Sequence, residues 1–197
     1  MQDLPKRLQK KLEKRASEST LRSLGTQNNL IDFSSNDYLG FSKNAIISER
    51  SSELQKEHNS SQIGATGSRL LSGNHSLYAT TESTLAIFHS VEDALIFNSG
   101  YDANLGFFSS VPQRGDLIFY DELCHASIRD GIAMSHAKSY KFDHNRLENL
   151  QAKSFKEQQK NTDDSAEVYV VTESVFSMDG DSPDLTALAH FCQEQGF

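Results

Sequence analysis

Cysteine is scarce in this 197-residue sequence, and long apolar runs are missing altogether. Cys124 and Cys192 lie far apart and in no spacing that metal ligands use, so the sequence predicts neither a disulfide framework nor a zinc site. No run approaches the ~20 apolar residues of a membrane span. The N-terminal stretch "MQDLPKRLQKKLEKR" also lacks the apolar core of a secretory signal. These absences indicate a cytoplasmic protein without a membrane partner.

An excess of positive charge is absent as well. The sequence has 19 Lys and Arg against 27 Asp and Glu, and its formal net charge is −8. Beyond the N-terminal stretch the basic residues are scattered, which argues against a nucleic-acid-binding surface. The motifs G-x-G-x-x-G, G-x-x-x-x-G-K-[ST] and G-x-S-x-G are all missing. We therefore expect a soluble protein that acts on small molecules and has no nucleic-acid partner.

The N-terminal quarter of the chain contains two helical patterns. Leucines at every fourth position predict an amphipathic helix over residues 2–24 that ends at Gly25. The stretch "LIDFSSNDYLGFS" is interpreted as a short strand and a polar turn, and "NAIISERSSELQKEH" returns to a helical period. We interpret residues 1–45 as a helical arm with a short strand and residues 46–197 as the first part of a large domain.

A glycine-rich loop and a helix follow. The stretch "SSQIGATGSRLLSGNHS" is dense in Gly and Ser, so it is either a flexible connection or a binding surface. Asn74 is a candidate N-cap for the next helix. Leu77, Leu85 and Phe88 fall on one face of that helix and predict its buried side.

From there on, apolar runs alternate with helical patterns. The runs "ALIF", "DLIFY", "KSYKF" and "EVYVV" predict strands, and helices are predicted from Ala126, within "NRLENL" and from Asp184. This alternation favours a mostly parallel α/β sheet covered on both faces. A Gly after a helix normally leads into another strand in such folds, so we expect the sheet to continue beyond residue 197.

Polar groups follow three of the predicted strands. In "FNSGYDAN", a Ser-Gly turn leads into a helix. Such a turn either binds an anion through its free backbone N–H groups or only connects two elements without binding a ligand. His125 in "DELCHAS" would emerge at the edge of the sheet where ligands bind in α/β folds, although a lone His is more often structural. Glu173 and Ser177 lie in "TESVFSMDGDSPDL". That stretch could also be a solvated turn in which Ser182 or Asp181 caps the helix, with Pro183 at its first position.

Five blocks of sequence together carry a family resemblance. They are, in order, "SSNDYLG", "GATGSRLLSGNHSLYATTE", "FNSGYDAN", "DELCHASIRDGI" and "ESVFSMDGDSPDL". In this order they resemble the α-oxoamine synthases, fold-type I transferases that use pyridoxal 5'-phosphate. The resemblance implies an N-terminal arm followed by the first part of a large, mostly parallel α/β domain. "FSSNDYLG" with "VFSMDGD" is most similar to members that condense L-alanine with a pimeloyl thioester, losing CO2, in biotin synthesis.

The resemblance also implies roles for individual residues around the cofactor. The turn formed by Ser99, Gly100 and Tyr101 would hold the cofactor phosphate on backbone donors. His125 would stack on the pyridine ring and act in catalysis next to the substrate. Two further residues would contact or line the cofactor. Ser177 would hydrogen-bond to the side of the cofactor that carries its phenolic oxygen, and Glu173 would line the same wall of the site.

The amino-acid substrate and the assembly are implied in the same way. Asn36 and Arg22 would lie near the carboxylate of the amino acid. The loop over residues 64–73 would lie at the interface of a homodimer, beside the active site. An acyl thioester would be the second substrate, and no metal is implied.

The family's chemistry also needs a carboxylate on the cofactor ring nitrogen and a Schiff-base lysine. In the family both follow later in the chain, so the 197 residues alone should be inactive while the whole protein is an acyltransferase. None of the lysines in the second half of the chain occupies the family's lysine motif: Lys138, Lys141, Lys153, Lys156 and Lys160.

Other functions of the same fold stay open at this point. Within the family these are glycine C-acetyltransferase, 5-aminolevulinate synthase and serine palmitoyltransferase. A non-catalytic partner subunit is an alternative of another class, and an aminotransferase of the same fold is a third.

Overall fold

A computed structural model of the chain describes residues 4–25, 31–58, 64–161, 163 and 165–197. The chain divides into two compact units, residues 1–64 and 65–197. The domain boundary expected after residue 45 stays a prediction. No helix in the described part of the chain is long and apolar enough to cross a membrane.

The first helix of the first unit is shorter than its sequence pattern predicts. Helix α1 spans Lys6–Ser17 and has no buried residue. The prediction of a helix reaching Gly25 was wrong, because Ser19 adopts a left-handed backbone with φ of 55°. The N–H groups of Thr20 and Leu21 then both donate to the carbonyl of Arg15, which closes the helix end.

The strand predicted in "LIDFSSNDYLGFS" is not formed over the described residues 31–42. The carboxylate of Asp32 accepts the N–H groups of Ser34 and Ser35, which turns the backbone instead of extending it. A short 3₁₀ helix at Phe41–Lys43 leads into helix α2, which spans Ala45–Glu57 and confirms the second helical pattern. Residue 30, the first of the predicted strand, lies outside the described residues.

The second unit begins within the glycine-rich loop, of which residues 60–63 lie outside the described residues, and continues with helix α3 at Ser76–His89. The predicted cap Asn74 was wrong: His75 is the N-cap, and its side chain accepts the N–H of Leu77. The predicted apolar face was wrong as well. Phe88 is 78% exposed, whereas Glu82 and Ala86 on another face are buried.

The run "ALIF", residues 94–97, is extended but forms no strand among the described residues. A strand needs a hydrogen-bonded neighbour, and none of the described strands pairs with this segment. Instead, the backbone N–H of Ile96 donates to the carboxylate of Glu82 at 2.9 Å.

The predicted parallel sheet is confirmed for the other three runs. Strand β1 (Leu117–Asp121) lies between β2 (Lys138–Phe142) and β3 (Val168–Val171) and pairs with both in parallel. Asp184 caps the last helix by accepting the N–H of Ala187, so the predicted caps Ser182 and Asp181, and Pro183 at the first helical position, were wrong. The remaining elements are α4 (Gly100–Ser110), α5 (Ala126–Met134), α6 (Leu147–Gln158) and α7 (Leu185–Gln195).

Both faces of the sheet are covered, as the alternating pattern predicts. Ile118 of β1 packs on one face against Phe108 of α4 and Ile128 of α5. Its neighbours Leu117 and Phe119 point the other way and pack in a cluster with residues of α6 and α7. The central strand is therefore buried on both sides, and its carboxyl end is fixed in position.

Helices α4 and α5 approach each other closely at Gly131. A Cβ at this position would come within 2.9 Å of the Asn104 carbonyl oxygen and of the Phe108 Cβ. Only a residue without a side chain lets the two backbones pack at this distance. The close packing fixes the N-terminus of α4 relative to that of α5.

Glu82 gives the second unit a pH-dependent contact. Its carboxylate accepts two hydrogen bonds from the Arg69 guanidinium, at 2.6 and 2.9 Å. The hydrogen bonds from Arg69, and next the one from the Ile96 N–H, lower the pKa of Glu82 to about 2. A carboxyl whose pKa is lowered on folding adds stability above its ordinary pKa of 4.5, and this contribution is lost as pH falls from there towards about 2.

We expect Glu82→Gln to lower the melting temperature at neutral pH. The difference from the unmodified protein should shrink as pH falls from about 4.5 towards about 2, because Glu82 itself becomes neutral there. Thermal unfolding followed by circular dichroism over that pH range measures this. Glu92→Gln, at an exposed residue without a hydrogen bond in the described chain, is the control, and equal pH profiles for the two variants would contradict the expectation.

Candidate active site

The N-terminus of α4 offers backbone donors. Ser99 is the N-cap, and its Oγ accepts the N–H of Asp102 at 3.0 Å. The N–H groups of Gly100 and Tyr101 form no hydrogen bond within the described part of the chain, and both residues are exposed. Two free donors at the positive end of an eleven-residue helix are suited to an anionic group.

His125 lies after β1 and is the N-cap of helix α5. Its Nδ1 accepts the N–H of Ser127 at 3.2 Å, so the ring serves as the cap of the helix. The buried Ser127 hydroxyl lies 2.8 Å from the same nitrogen and accepts a hydrogen bond from the amide of Asn104. With Nδ1 accepting, the proton of the neutral imidazole is on Nε2. The side chain is thus held in one orientation while the residue stays exposed.

Three of the predicted site residues come together at the carboxyl edge of the sheet. The rings of Tyr101 and His125 meet edge to face, with centroids 6.3 Å apart. The backbone N–H of His125 donates to the carboxylate of Glu173, which follows β3. The Tyr101 hydroxyl donates to Asp130, and this hydrogen bond raises the pKa of Tyr101.

Ser177 lies in a closed turn after β3. The N–H of Phe176 donates to the carbonyl of Asp181 at 2.9 Å, and that of Gly180 donates to the carbonyl of Phe176 at 2.7 Å. Gly180 has a φ of 74°, a conformation that favours glycine. The turn is thus self-contained, with Phe176 buried and Ser177 exposed.

His144 was missed by the sequence interpretation, although it directly follows Asp143 at the end of "KSYKF", at another strand exit. Its Nδ1 lies 2.9 Å from the Asp121 carboxylate, and its Nε2 lies 3.0 Å from the Asp181 carboxylate. Asp121 is fully buried and also accepts the N–H of Asn145. Its position after a strand was the only signal in the sequence that could have identified His144.

Arg22 and Asn36 belong to the first unit. Arg22 follows α1 in an irregular segment, and Asn36 lies in the turn region after Asp32. Both are exposed. Their predicted roles stay predictions.

Cys124 is buried and is not one of the reactive groups of this site. It is 1% exposed in the cluster on the α4 and α5 side of the sheet, and its thiol contacts the carbonyl of Val171. Burial raises the pKa of Cys124 to about 12, so the thiol stays protonated and is a poor nucleophile.

A family profile matches most of the chain. The family is described as "Aminotransferase class I and II", and the match covers residues 28–197. The chain belongs to this family.

Within the aminotransferase class I and II family, the chain is similar to proteins named as 8-amino-7-oxononanoate synthases. A putative one from Methanococcus vannielii is 39% identical over 95% of this chain and 49% of its own length. One from Emericella nidulans is 43% identical over 77% of this chain and 38% of its own length. These names confirm the resemblance to the α-oxoamine synthases. The chain spans about half the length of the curated relatives it matches.

A solved structure confirms the fold class of this family member. The serine palmitoyltransferase of Sphingomonas wittichii is 32% identical, with a TM-score of 0.68, over 81% of this chain and 38% of that protein. The parallel sheet and its two helical layers are thus part of a fold-type I architecture.

Proposed function

We propose that the whole protein carrying these residues is an 8-amino-7-oxononanoate synthase. It would use pyridoxal 5'-phosphate to condense L-alanine with a pimeloyl thioester, releasing CO2. The observation that carries the proposal is the meeting of Tyr101, His125 and Glu173 at the sheet edge of a chain about 40% identical to proteins of that name.

The residues present fit the cofactor. The free N–H groups of Gly100 and Tyr101, with the Ser99 hydroxyl, would hold its phosphate. The exposed imidazole of His125 offers a flat face of fixed orientation for its ring. Bound there, pyridoxal phosphate would supply an electron sink for the carbanion formed on the amino acid.

Other residues would complete the site. Ser177 would donate to the phenolic oxygen side of the cofactor, and Glu173 would hold the backbone of His125 in place. The guanidinium of Arg22 and the amide of Asn36 would bind the carboxylate of the amino acid. A homodimer with active sites at its interface, as the sequence resemblance implies, is part of the proposal.

The visible absorption band of the bound cofactor tests the proposal. The whole protein is loaded with pyridoxal phosphate and titrated separately with L-alanine, glycine and L-serine. We expect L-alanine to shift the band, and addition of pimeloyl thioester to release CO2. A shift with glycine alone would favour glycine C-acetyltransferase. A shift with serine alone would favour serine palmitoyltransferase, the name of the Sphingomonas wittichii protein. A protein that binds no cofactor would instead fit a non-catalytic partner subunit.

A further inference from the structure

We propose that His144 is a positioning residue that holds the turn carrying Ser177 against the carboxyl end of β1. The inference rests on the proposed function, because the position of Ser177 matters only if its hydroxyl contacts the cofactor. His144 belongs to the loop after β2, and the turn Phe176–Asp181 follows β3. The imidazole therefore connects loops from three adjacent strands.

The imidazole is held on three sides. Its Nδ1 lies 2.9 Å from Oδ1 of Asp121, which is fully buried at the end of β1. Its Nε2 lies 3.0 Å from Oδ2 of Asp181. The ring meets that of Phe176 edge to face, with centroids 4.5 Å apart. One side chain thus contacts both ends of the turn and the fixed central strand.

Fixing the two ends of the turn fixes Ser177 between them. Phe176 and Asp181 are joined by a backbone hydrogen bond of 2.9 Å, and Gly180 donates back to Phe176. Ser177 itself is exposed and makes no hydrogen bond in the described chain. Its location consequently depends on what holds the turn.

The two carboxylates on either side of His144 favour a charged ring, and the amide nitrogen of Asn145 also lies 3.2 Å from Nε2. An imidazolium has two N–H donors and can serve both carboxylates, whereas a neutral imidazole has one. Asp121 from β1 and Asp181 from the turn face the ring, and the Glu122 carboxylate accepts the backbone N–H of His144. Asn145 adds an amide donor to Asp181 at 2.9 Å.

The contacts of His144 predict how its contribution to the stability of the turn changes with pH. The hydrogen bond to Asp121, with a further contribution from Asp181, raises the pKa of His144 above its ordinary value of 6.5. A histidine whose pKa is raised on folding contributes its full stability below the ordinary value, and the contribution is lost as pH rises through the raised pKa. Because Asp121 is the buried partner, the proton lost is the one facing Asp181, and the turn loses its charged hydrogen bond to His144 while it keeps the one from Asn145.

Two measurements test this independently of the cofactor. The pKa of His144 is obtained by NMR titration of its ring, and the mobility of the turn by hydrogen exchange of the Gly180 amide. Asp181→Asn should lower the pKa of His144 and speed the Gly180 exchange by about twofold to fivefold, the effect of losing a partly exposed ion pair. Asp179→Asn, an exposed residue in the same turn, is the control and should change neither. Equal behaviour of the two variants would overturn the proposal.

A third measurement links the turn to the site. In the whole protein, the affinity for pyridoxal phosphate should fall as pH rises through the pKa measured for His144, and His144→Gln should remove that step. If the cofactor binds with the same pH profile in both proteins, His144 has no positioning role and the proposed function stands. If the unmodified protein binds no cofactor, the proposed function fails, while the NMR and exchange results still decide whether His144 holds the turn.

Discussion

Replacing Asp121 with alanine is expected to lower the free energy of unfolding by about 3–5 kcal/mol, because it removes a fully buried carboxylate that accepts several hydrogen bonds. The side chain is fully buried and accepts hydrogen bonds from the N–H groups of Leu123 and Asn145 as well as from the ring of His144. Alanine would leave these partly buried donors without their acceptor. Urea unfolding of the whole protein, followed by far-UV circular dichroism, measures the change.

Asp143→Ala is the matched control for Asp121. Asp143 also follows a strand, but its side chain is 61% exposed and lies 3.9 Å from Lys153. We expect its replacement to change stability by less than about 0.5 kcal/mol. Equal losses for the two variants would mean that burial and the hydrogen bonds of Asp121 do not stabilise the sheet edge.

Replacing His125 with alanine is expected to lower kcat/KM of the whole protein about tenfold or more, because the ring that would stack on the cofactor is lost and such a contact contributes about 0.5–1.5 kcal/mol. The variant loses both the ring that would face the cofactor and the cap that accepts the Ser127 N–H. Steady-state kinetics with L-alanine and the pimeloyl thioester measure the effect. This prediction depends on the proposed function.

His125→Asn separates the two roles of the residue. Asparagine is a good N-cap and keeps an acceptor for the Ser127 N–H, but it has no ring. We expect the asparagine variant to match the stability of the unmodified protein and to lose activity as the alanine variant does. An asparagine variant with near-normal activity would show that His125 acts only as a helix cap.

Much of the second unit was predictable from local sequence. The runs "DLIFY", "KSYKF" and "EVYVV" became parallel strands, as their short length and β-favouring residues predict. The apolar run of β1 is buried on both faces at the centre of the sheet, whereas β2 at its edge is mostly exposed. Ser99 was correctly placed before a helix because a Ser-Gly turn after an apolar run favours a cap. These features depend on residues that are close together in the chain.

Other features could not be found in this way. "ALIF" has the composition of a strand, but a strand also requires a neighbour that no local pattern reveals. The burial of Glu82 was missed because its partner Arg69 is 13 residues away, and an ion pair makes a charged residue compatible with the interior. The cap was assigned to Asn74 and not to His75, because both side chains can accept a hydrogen bond and their sequence does not distinguish them.

The sequence by itself determined the family, through five ordered blocks that resemble the α-oxoamine synthases. It also determined the parallel α/β class and two of the three predicted strand exits, those after β1 and β3, since apolar runs and turn residues are encoded locally. Only the tertiary structure decided which of those residues meet. It brought Asp121 and Asp181 to opposite sides of His144, across 23 and 37 residues of sequence. Such contacts depend on how the loops of neighbouring strands converge, because an imidazole between two carboxylates is stable only where the fold brings all three together.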